Sequence, residues 1–251
     1  MPESGTHQLR SVANRKFLCK KLRLYRSVDM TAKMWNRILG VLVVLSSLSH
    51  CAWSTAQEGD LLIYKGKTYS LLANPLTEFL RNNPGKLPKS EIISTSRWRG
   101  YVATWEVKDD VLWLKDITIL VSKSKQLDTE ERSVMEEMFG SSKAVRADWF
   151  SGNLIVPQGK LVDYVHMGYG STFQRYLIFR VEKGAVNAIH EYDRERFKAF
   201  SNRQFDEFKK TDKYKAALAE HLKDKDAGSK KEIEKFLRQF YSVEYLSTLY
   251  Q

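Results

Sequence analysis

Residues 98–121 constrain the fold more than any other stretch, because two runs of alternating apolar residues flank a short acidic turn. Asp tolerates the positive φ that the favoured two-residue hairpin turns need. The sequence therefore predicts a β-hairpin with Asp109-Asp110 as its loop. The turn fixes a register in which Val107 lies opposite Leu112, Trp105 opposite Leu114, and Ala103 opposite Asp116.

This register gives the hairpin one apolar face and one mixed face, since successive side chains of a strand point to opposite sides. The predicted apolar face consists of Tyr101, Ala103, Trp105, Val107, Leu112 and Leu114. The mixed face carries Thr104, Glu106, Trp113 and Lys115, with Glu106 diagonal to Lys115. A slip of one residue would bury Glu106 and Lys115, so the register is strongly specified.

Further strand patterns occur on both sides of this hairpin. A first hairpin turns at residues 65–67, and strands are expected at 144–150, 154–156, 161–167, 175–182 and 185–191. Short helices are expected at 75–81, with Asn74 as N-cap, and after Asp128, ending at Gly140. Strands joined by short turns predict an α+β fold, mainly an antiparallel β-sheet or partly open barrel with short helices, rather than alternating βα units.

The composition changes after Tyr192, where aromatic and aliphatic residues recur at helical spacing among many charges. Ser229-Lys230-Lys231-Glu232 is a capping box, which indicates the start of a helix. We interpret residues 57–192 as a β-rich domain and 193–251 as a charged region of amphipathic C-terminal helices. These helices pack on the sheet or on each other, or bind a partner.

Residues 34–56 are typical of a secretory signal peptide: Arg37 precedes an apolar run at 38–48, and Ser54-x-Ala56 is a cleavage site that leaves Gln57 first. Two alternatives stay open. The segment 38–56 could remain as a membrane anchor, or Cys51 could be lipidated, although His50 departs from the lipobox pattern.

Residues 1–33 form a basic N-terminal extension. They are interpreted as an extended gene model with Met34 as the true start, or as a long cytoplasmic segment before the signal. Residues 1–56 hold nine Lys/Arg and two Asp/Glu, and the rest of the chain holds 32 and 28. Most of the excess positive charge therefore lies before or inside the targeting segment, which argues against a nucleic-acid partner.

Both cysteines, Cys19 and Cys51, precede Ala56, so the mature chain would have no disulfide, as is common in the bacterial periplasm. The sequence predicts a periplasmic or secreted protein. Its association with a membrane would depend on the signal segment or on a lipid at Cys51.

No intact catalytic or metal-binding motif follows the signal. His190-Glu191 begins like a zinc-protease helix, but Arg194 stands where the second His should be. The segment 168–171 matches neither a nucleophile elbow nor a phosphate loop. We therefore expect no catalytic residue, no metal and no cofactor.

Aromatic residues near arginines are the best candidates for binding, because such pairs recur at recognition surfaces. Trp98 and Arg99 precede the hairpin, and Trp113 is predicted on its mixed face. His166 and Tyr169 end a strand and enter a glycine-rich turn, where function often lies. These five residues are the predicted binding residues.

The run Trp98-Arg99-Gly100-Tyr101-x-Ala103-x-Trp105-Glu106 resembles a pattern in a family of uncharacterised bacterial proteins. The segments 149–154 and His166-Met167-Gly168-Tyr169 are similar to others in that family. The resemblance covers roughly residues 60 to 185 and implies a shared β-rich domain without a known activity.

Two functions are compatible with these patterns. The first is an exported, non-enzymatic binding protein of the bacterial envelope, whose partner is a protein, such as a toxin that it neutralises, or another envelope component. The second is a hydrolase acting on an envelope polymer, with His166 and an acid such as Asp163 or Glu106. A deep pocket joining His166 to a carboxylate would favour the hydrolase, whereas an aromatic face would favour binding.

Overall fold

The computed structural model describes residues 57–92, 94–123, 128–165, 169–223 and 228–250. Its strands are β1 (Asp60–Tyr64), β2 (Lys67–Leu71), β3 (Val102–Lys108), β4 (Val111–Ser122), β5 (Thr129–Ser133), β6 (Val145–Arg146), β7 (Gly152–Asp163), β8 (Thr172–Glu182) and β9 (Ala185–Asp193). Its helices are α1 (Leu76–Asn82), α2 (Met135–Phe139), α3 (Arg194–Lys210), α4 (Asp212–Lys223), α5 (Lys230–Phe240) and α6 (Ser242–Ser247), with a 3₁₀ turn at Thr95–Arg97. The predicted α+β class is confirmed.

The nine strands form one mixed sheet in the order β2-β1-β3-β4-β9-β8-β7, and β5 and β6 pair with β4. β1 runs parallel to β3, whereas the other pairs are antiparallel. The sheet does not close into a barrel. Just after β2, however, the Leu72 N–H donates to the carbonyl oxygen of Ile155 in β7 at 2.8 Å. The two outer strands of the sheet therefore approach each other at one point.

The central hairpin has the predicted turn, with φ of 51° at Asp109 and 54° at Asp110. Val107 pairs with Leu112 and Trp105 with Leu114, as expected. The predicted pairing of Ala103 with Asp116 is wrong, because a β-bulge at Lys115 places Ala103 opposite Ile117. Strict alternation after Leu114 would have turned Asp116 inward.

The bulge has a clear physical benefit for β4. One extra residue moves Ile117, Ile119 and Val121 onto the same buried face as Leu112 and Leu114. Bulges re-aim the side chains that follow them, so this long strand keeps an apolar face along its whole length.

The helix predicted from Asp128 is mostly a strand. Residues 129–133 form β5 on the edge of β4, and α2 is confined to residues 135–139. The exposed edge of β4 needs hydrogen-bond partners, and this requirement outweighs the local capping pattern. The helix ends at Gly140, as predicted, with φ of 67°.

Three smaller predictions also need correction. Asn74 does not cap α1, because Pro75 occupies the N-cap position and the Asn74 Oδ1 accepts from the Tyr169 hydroxyl at 3.3 Å. The strand predicted at 144–150 covers two residues, 145–146. The separate strands expected at 154–156 and 161–167 are joined in β7, which continues through a bulge where Gly159 has φ of 77° and ends at Asp163.

Two apolar cores lie on opposite faces of the sheet. The first contains Trp105, Leu114, Phe179 and other residues of β1–β4, β7 and β8. The second packs Ile155, Tyr176 and Ile178 of β7 and β8 against apolar residues of the C-terminal helices, including Phe205, Phe208, Leu237 and Tyr245. The helices thus cover the outer face of β7 and β8 with their apolar sides.

The capping box of α5 is present as predicted, because Ser229 and Glu232 each accept from the other's backbone N–H. Among the described residues, we found no helix with the length and apolar character needed to cross a membrane.

Candidate functional site

Residues 97–99 invert the usual placement of side chains at a protein surface. The side chains of Arg97 and Arg99 are only 5% and 7% exposed, whereas Trp98 between them is 73% exposed. Arg is seldom buried without a partner, and a large aromatic is seldom left in water. Both departures need a cause, and the arginines have an evident one.

Arg97 is held by two carboxylates. Its Nε and Nη2 donate to the two carboxylate oxygens of Glu58 at 2.8 Å each, and its Nη2 also donates to Glu131 at 2.7 Å. The hydrogen bond to Glu58 raises the pKa of Arg97, and the hydrogen bond from Arg97 lowers the pKa of Glu131. This paired geometry fixes the guanidinium plane.

Arg99 is held by a third carboxylate, that of Asp60, which is fully buried. Its Nη2 lies 2.9 Å from Asp60 Oδ1 and 3.1 Å from the backbone oxygen of Glu58, to which it donates. The guanidinium also stacks 4.9 Å above the ring of Tyr101. Its Nε and Nη1 are buried and have no hydrogen-bond partner among the described residues.

Asp60 was not identified from the sequence, although it opens β1 on the same face as the buried Leu62. It is 0% exposed and accepts from the Trp105 indole Nε1–H at 3.0 Å and the Ala103 N–H at 3.3 Å. Burial raises the pKa of Asp60, whereas Arg99 and the Trp105 indole act in the opposite direction. The parallel pairing of β1 with β3 brings Asp60 to these donors. An inward-facing Asp at the start of an apolar strand was the available signal.

Two tyrosines lie close to Arg99: Tyr101 beneath its guanidinium, and Tyr169 beside it in the lining of one cavity. Burial raises the pKa of Tyr101 to about 12 and also raises the pKa of Tyr169. Both hydroxyls therefore stay protonated at neutral pH and cannot serve as bases there. The Tyr169 hydroxyl donates to Asn74.

A cavity of about 280 Å³ opens beside Trp98. Trp98, Arg99 and Tyr169 contribute to one side, and Gln239, Phe240 and Val243 of the α5–α6 junction to another. Three of the five predicted binding residues therefore meet at one place. The fold brings them together from distant parts of the chain.

Exposed aromatic residues continue from this cavity onto α5. Phe240, 46% exposed, lines the cavity and stacks on Phe236 at a centroid distance of 4.1 Å. We call Trp98, Phe236 and Phe240 the aromatic rim. Neither phenylalanine was singled out as a binding residue, because at helical spacing both looked like core residues.

The other predicted site residues lie elsewhere. Trp113 is partly buried on the mixed face of the hairpin, opposite Glu106 on β3 and Arg146 on β6. The predicted diagonal pair on that face is present, with Lys115 Nζ 3.1 Å from Glu106. His166 and Cys51 are outside the described residues.

The acids considered for hydrolysis are each engaged in an ion pair. Asp163 pairs with Arg194 at 2.8 Å and accepts from the Thr172 hydroxyl, while Glu106 pairs with Lys115. Within the described ranges, no cluster of His, Cys, Asp and Glu could hold a metal ion.

Comparisons with known proteins give no assignment: no protein-family model, no curated protein and no solved structure matches this chain.

Proposed function

We propose that this protein is an exported, non-enzymatic binding module of the bacterial envelope that recognises a protein partner through the aromatic rim. The observation that carries the proposal is Trp98, which is 73% exposed between two anchored arginines. Tryptophan is enriched among the residues that dominate binding energy at interfaces. A toxin delivered into the envelope is one partner of this kind.

The anchoring of Arg97 and Arg99 supports a binding role, because it holds the backbone around Trp98 in place. Glu58, Asp60 and Glu131 fix the residues on either side of the indole. A side chain that is already positioned before binding loses less conformational freedom in the complex. The inversion at residues 97–99 thus presents a preorganised anchor to a partner.

The neighbouring cavity adds a place for a side chain of the partner. Its volume of about 280 Å³ is at the small end of the range for ligand pockets, which suits one inserted side chain better than a whole cofactor. Trp98 and Phe240 would provide apolar contact, and Tyr169 and Asn74 polar contact. Hot-spot residues commonly surround such pockets.

Replacing Trp98 by alanine should abolish capture of the partner while leaving stability nearly unchanged. Removal of an exposed side chain opens no cavity in the core, whereas loss of an interface anchor typically costs about 2 kcal/mol or more in binding. The measurement is pull-down from envelope extract with mass spectrometry, using wild-type and variant protein, together with a thermal melt of each.

Leu161→Ala is the matched control, because Leu161 is also an exposed apolar residue, at 49%, on β7 and outside the lining of the cavity beside Trp98. A protein that is captured by the wild type and by Leu161→Ala but not by Trp98→Ala is the partner. Equal capture by all three would overturn the role of Trp98.

Export is the second part of the proposal and rests on residues 34–56. We expect N-terminal sequencing of protein from the periplasmic fraction to begin near Gln57. A chain that begins near Pro2 in the cytosol would contradict export. A lipid-modified Cys51 would replace cleavage after Ala56 by anchoring to a membrane.

The hydrolase hypothesis has less support in the described residues. Asp163 and Glu106 are on separate strands. Each forms an ion pair with a cationic side chain, Arg194 or Lys115, and not with a group that could act as general base or nucleophile. A test with envelope polymer and a Glu106→Gln variant would restore this hypothesis if the wild type cleaved the polymer and the variant did not.

A further inference from the structure

A second and larger cavity, of about 520 Å³, lies between the first half of α3 and the α5–α6 junction. It borders the cavity beside Trp98, since Tyr169, Gln239 and Ser242 line both. Its size is within the usual range for sites that enclose a small molecule. Nothing in the sequence pattern predicts this cavity.

Apolar and aromatic side chains line its interior. Tyr176 of β8 and Phe197 of α3 stack with their ring centroids 3.6 Å apart, and Leu72, Tyr245 and Leu246 line the same space. Tyr176, Tyr245 and Leu246 are buried members of the second core. The cavity therefore reaches the apolar layer between sheet and helices.

Basic side chains surround the same cavity. Arg194 and Lys198 come from α3, Lys235 and Arg238 from α5, and Glu195 is the one acid among the described lining residues. Arg194 is paired with Asp163, and Arg238 contacts Asn202 and lies over the Phe205 ring. Lys198 and Lys235 are exposed and form no ion pair among the described residues. The positive charge of both lysines is thus available to a ligand.

We propose that this cavity binds a single-chain amphiphile with an anionic head group, its alkyl chain against the partly exposed Leu72 and Phe197 and its head group between Lys198 and Lys235. Apolar surface removed from water favours the chain, and complementary charge favours an anionic head over a neutral or cationic one. An inorganic anion would leave the apolar interior unused. A folded partner would cover the entrance without filling the interior.

Dodecanoate is a suitable probe, measured by calorimetric titration with the whole protein below the concentration at which the probe forms micelles. We expect saturable binding of one molecule. Dodecanol and dodecylammonium have the same chain with a neutral and a cationic head, so they should bind more weakly. A short glutamate-rich peptide tests whether acidic charge is sufficient by itself.

Charge reversal tests the proposed head-group site. Lys198→Glu and Lys235→Glu should each weaken dodecanoate binding by roughly fivefold or more, since an exposed attraction is replaced by repulsion. Lys230→Glu makes the same change at the exposed first residue of α5, outside the cavity lining, and should leave binding unchanged. Both reversed lysines are exposed, so the fold should be kept.

Each outcome is informative. Equal affinity for dodecanoate and dodecanol, or equal weakening by all three lysine variants, would overturn the role of the cations. Binding of the acidic peptide without binding of dodecanoate would replace the amphiphile by an acidic protein. Absence of binding by every probe would overturn the site. Trp98→Ala should leave dodecanoate binding intact, so failure here and failure of the proposed partner interaction are distinguishable.

Discussion

Trp105→Ala should lower the free energy of unfolding by about 3–5 kcal/mol, as truncation of a large core aromatic does. Trp105 is fully buried, pairs across the hairpin with Leu114 and packs edge-on to Trp149 at 6.4 Å. The truncation would also remove the indole N–H that donates to Asp60. Chemical denaturation of wild type and variant measures the loss, and a change below about 1 kcal/mol would contradict a core role.

Trp113→Ala is the matched control, because Trp113 is on the next strand of the same hairpin but on its mixed face and only partly buried. We expect a clearly smaller loss of stability than for Trp105→Ala, since less of the side chain leaves the interior. Thermal melts of both variants side by side decide this. Equal losses would show that Trp113 is a second core residue and would remove it from the binding candidates.

Asp60→Ala should destabilise the protein by about 3–5 kcal/mol, because it leaves the buried guanidinium of Arg99 without its counter-charge. Trp105 Nε1–H and the Ala103 N–H would lose their acceptor as well. Asp60→Asn should lose less free energy of unfolding than Asp60→Ala, since the amide oxygen can still accept one of the hydrogen bonds from Trp105 or Ala103. Urea denaturation of these variants provides the measurement.

A double-mutant cycle separates the ion pair from its surroundings. The double variant Arg99→Met/Asp60→Asn should lose less free energy of unfolding than the sum of the two single-variant losses, because it removes both charges from the interior together. Additive losses would show that Asp60 and Arg99 are not coupled. In that case the ion pair between Asp60 and Arg99 would not explain why Trp98 is held in its exposed position.

The local patterns of the sequence were sufficient for the central hairpin turn and for the capping box of α5, because both depend on residues a few positions apart. The bulge at Lys115 and strand β5 were missed for a common reason. Both depend on what the neighbouring strand needs, namely a continuous apolar face in one case and a covered edge in the other. Such requirements are tertiary and outweigh local propensity.

The candidate site shows the same limit at a longer range. Trp98, Arg99 and Tyr169 were chosen because aromatics and arginines often bind, and the fold places them at one cavity. The residues that position them were missed, because Glu58 is 39 positions from Arg97 and Asp60 is 45 positions from Trp105. Without the parallel pairing of β1 and β3, Asp60 is an ordinary acid before an apolar strand.

That parallel pairing also bears on the order of folding. The β1–β2 hairpin is local and can form as soon as its own residues are available, but the partners of Asp60 belong to β3, 43 positions further on for Ala103. Pairings between distant segments are slow, because the intervening chain must be ordered first. Until β1 pairs with β3, the hydrogen bonds of Asp60 with the Trp105 indole and the Ala103 N–H cannot form. We therefore expect this ion pair to form after the local β1–β2 hairpin, and residues 97–99 to become rigid only once β1 has paired with β3.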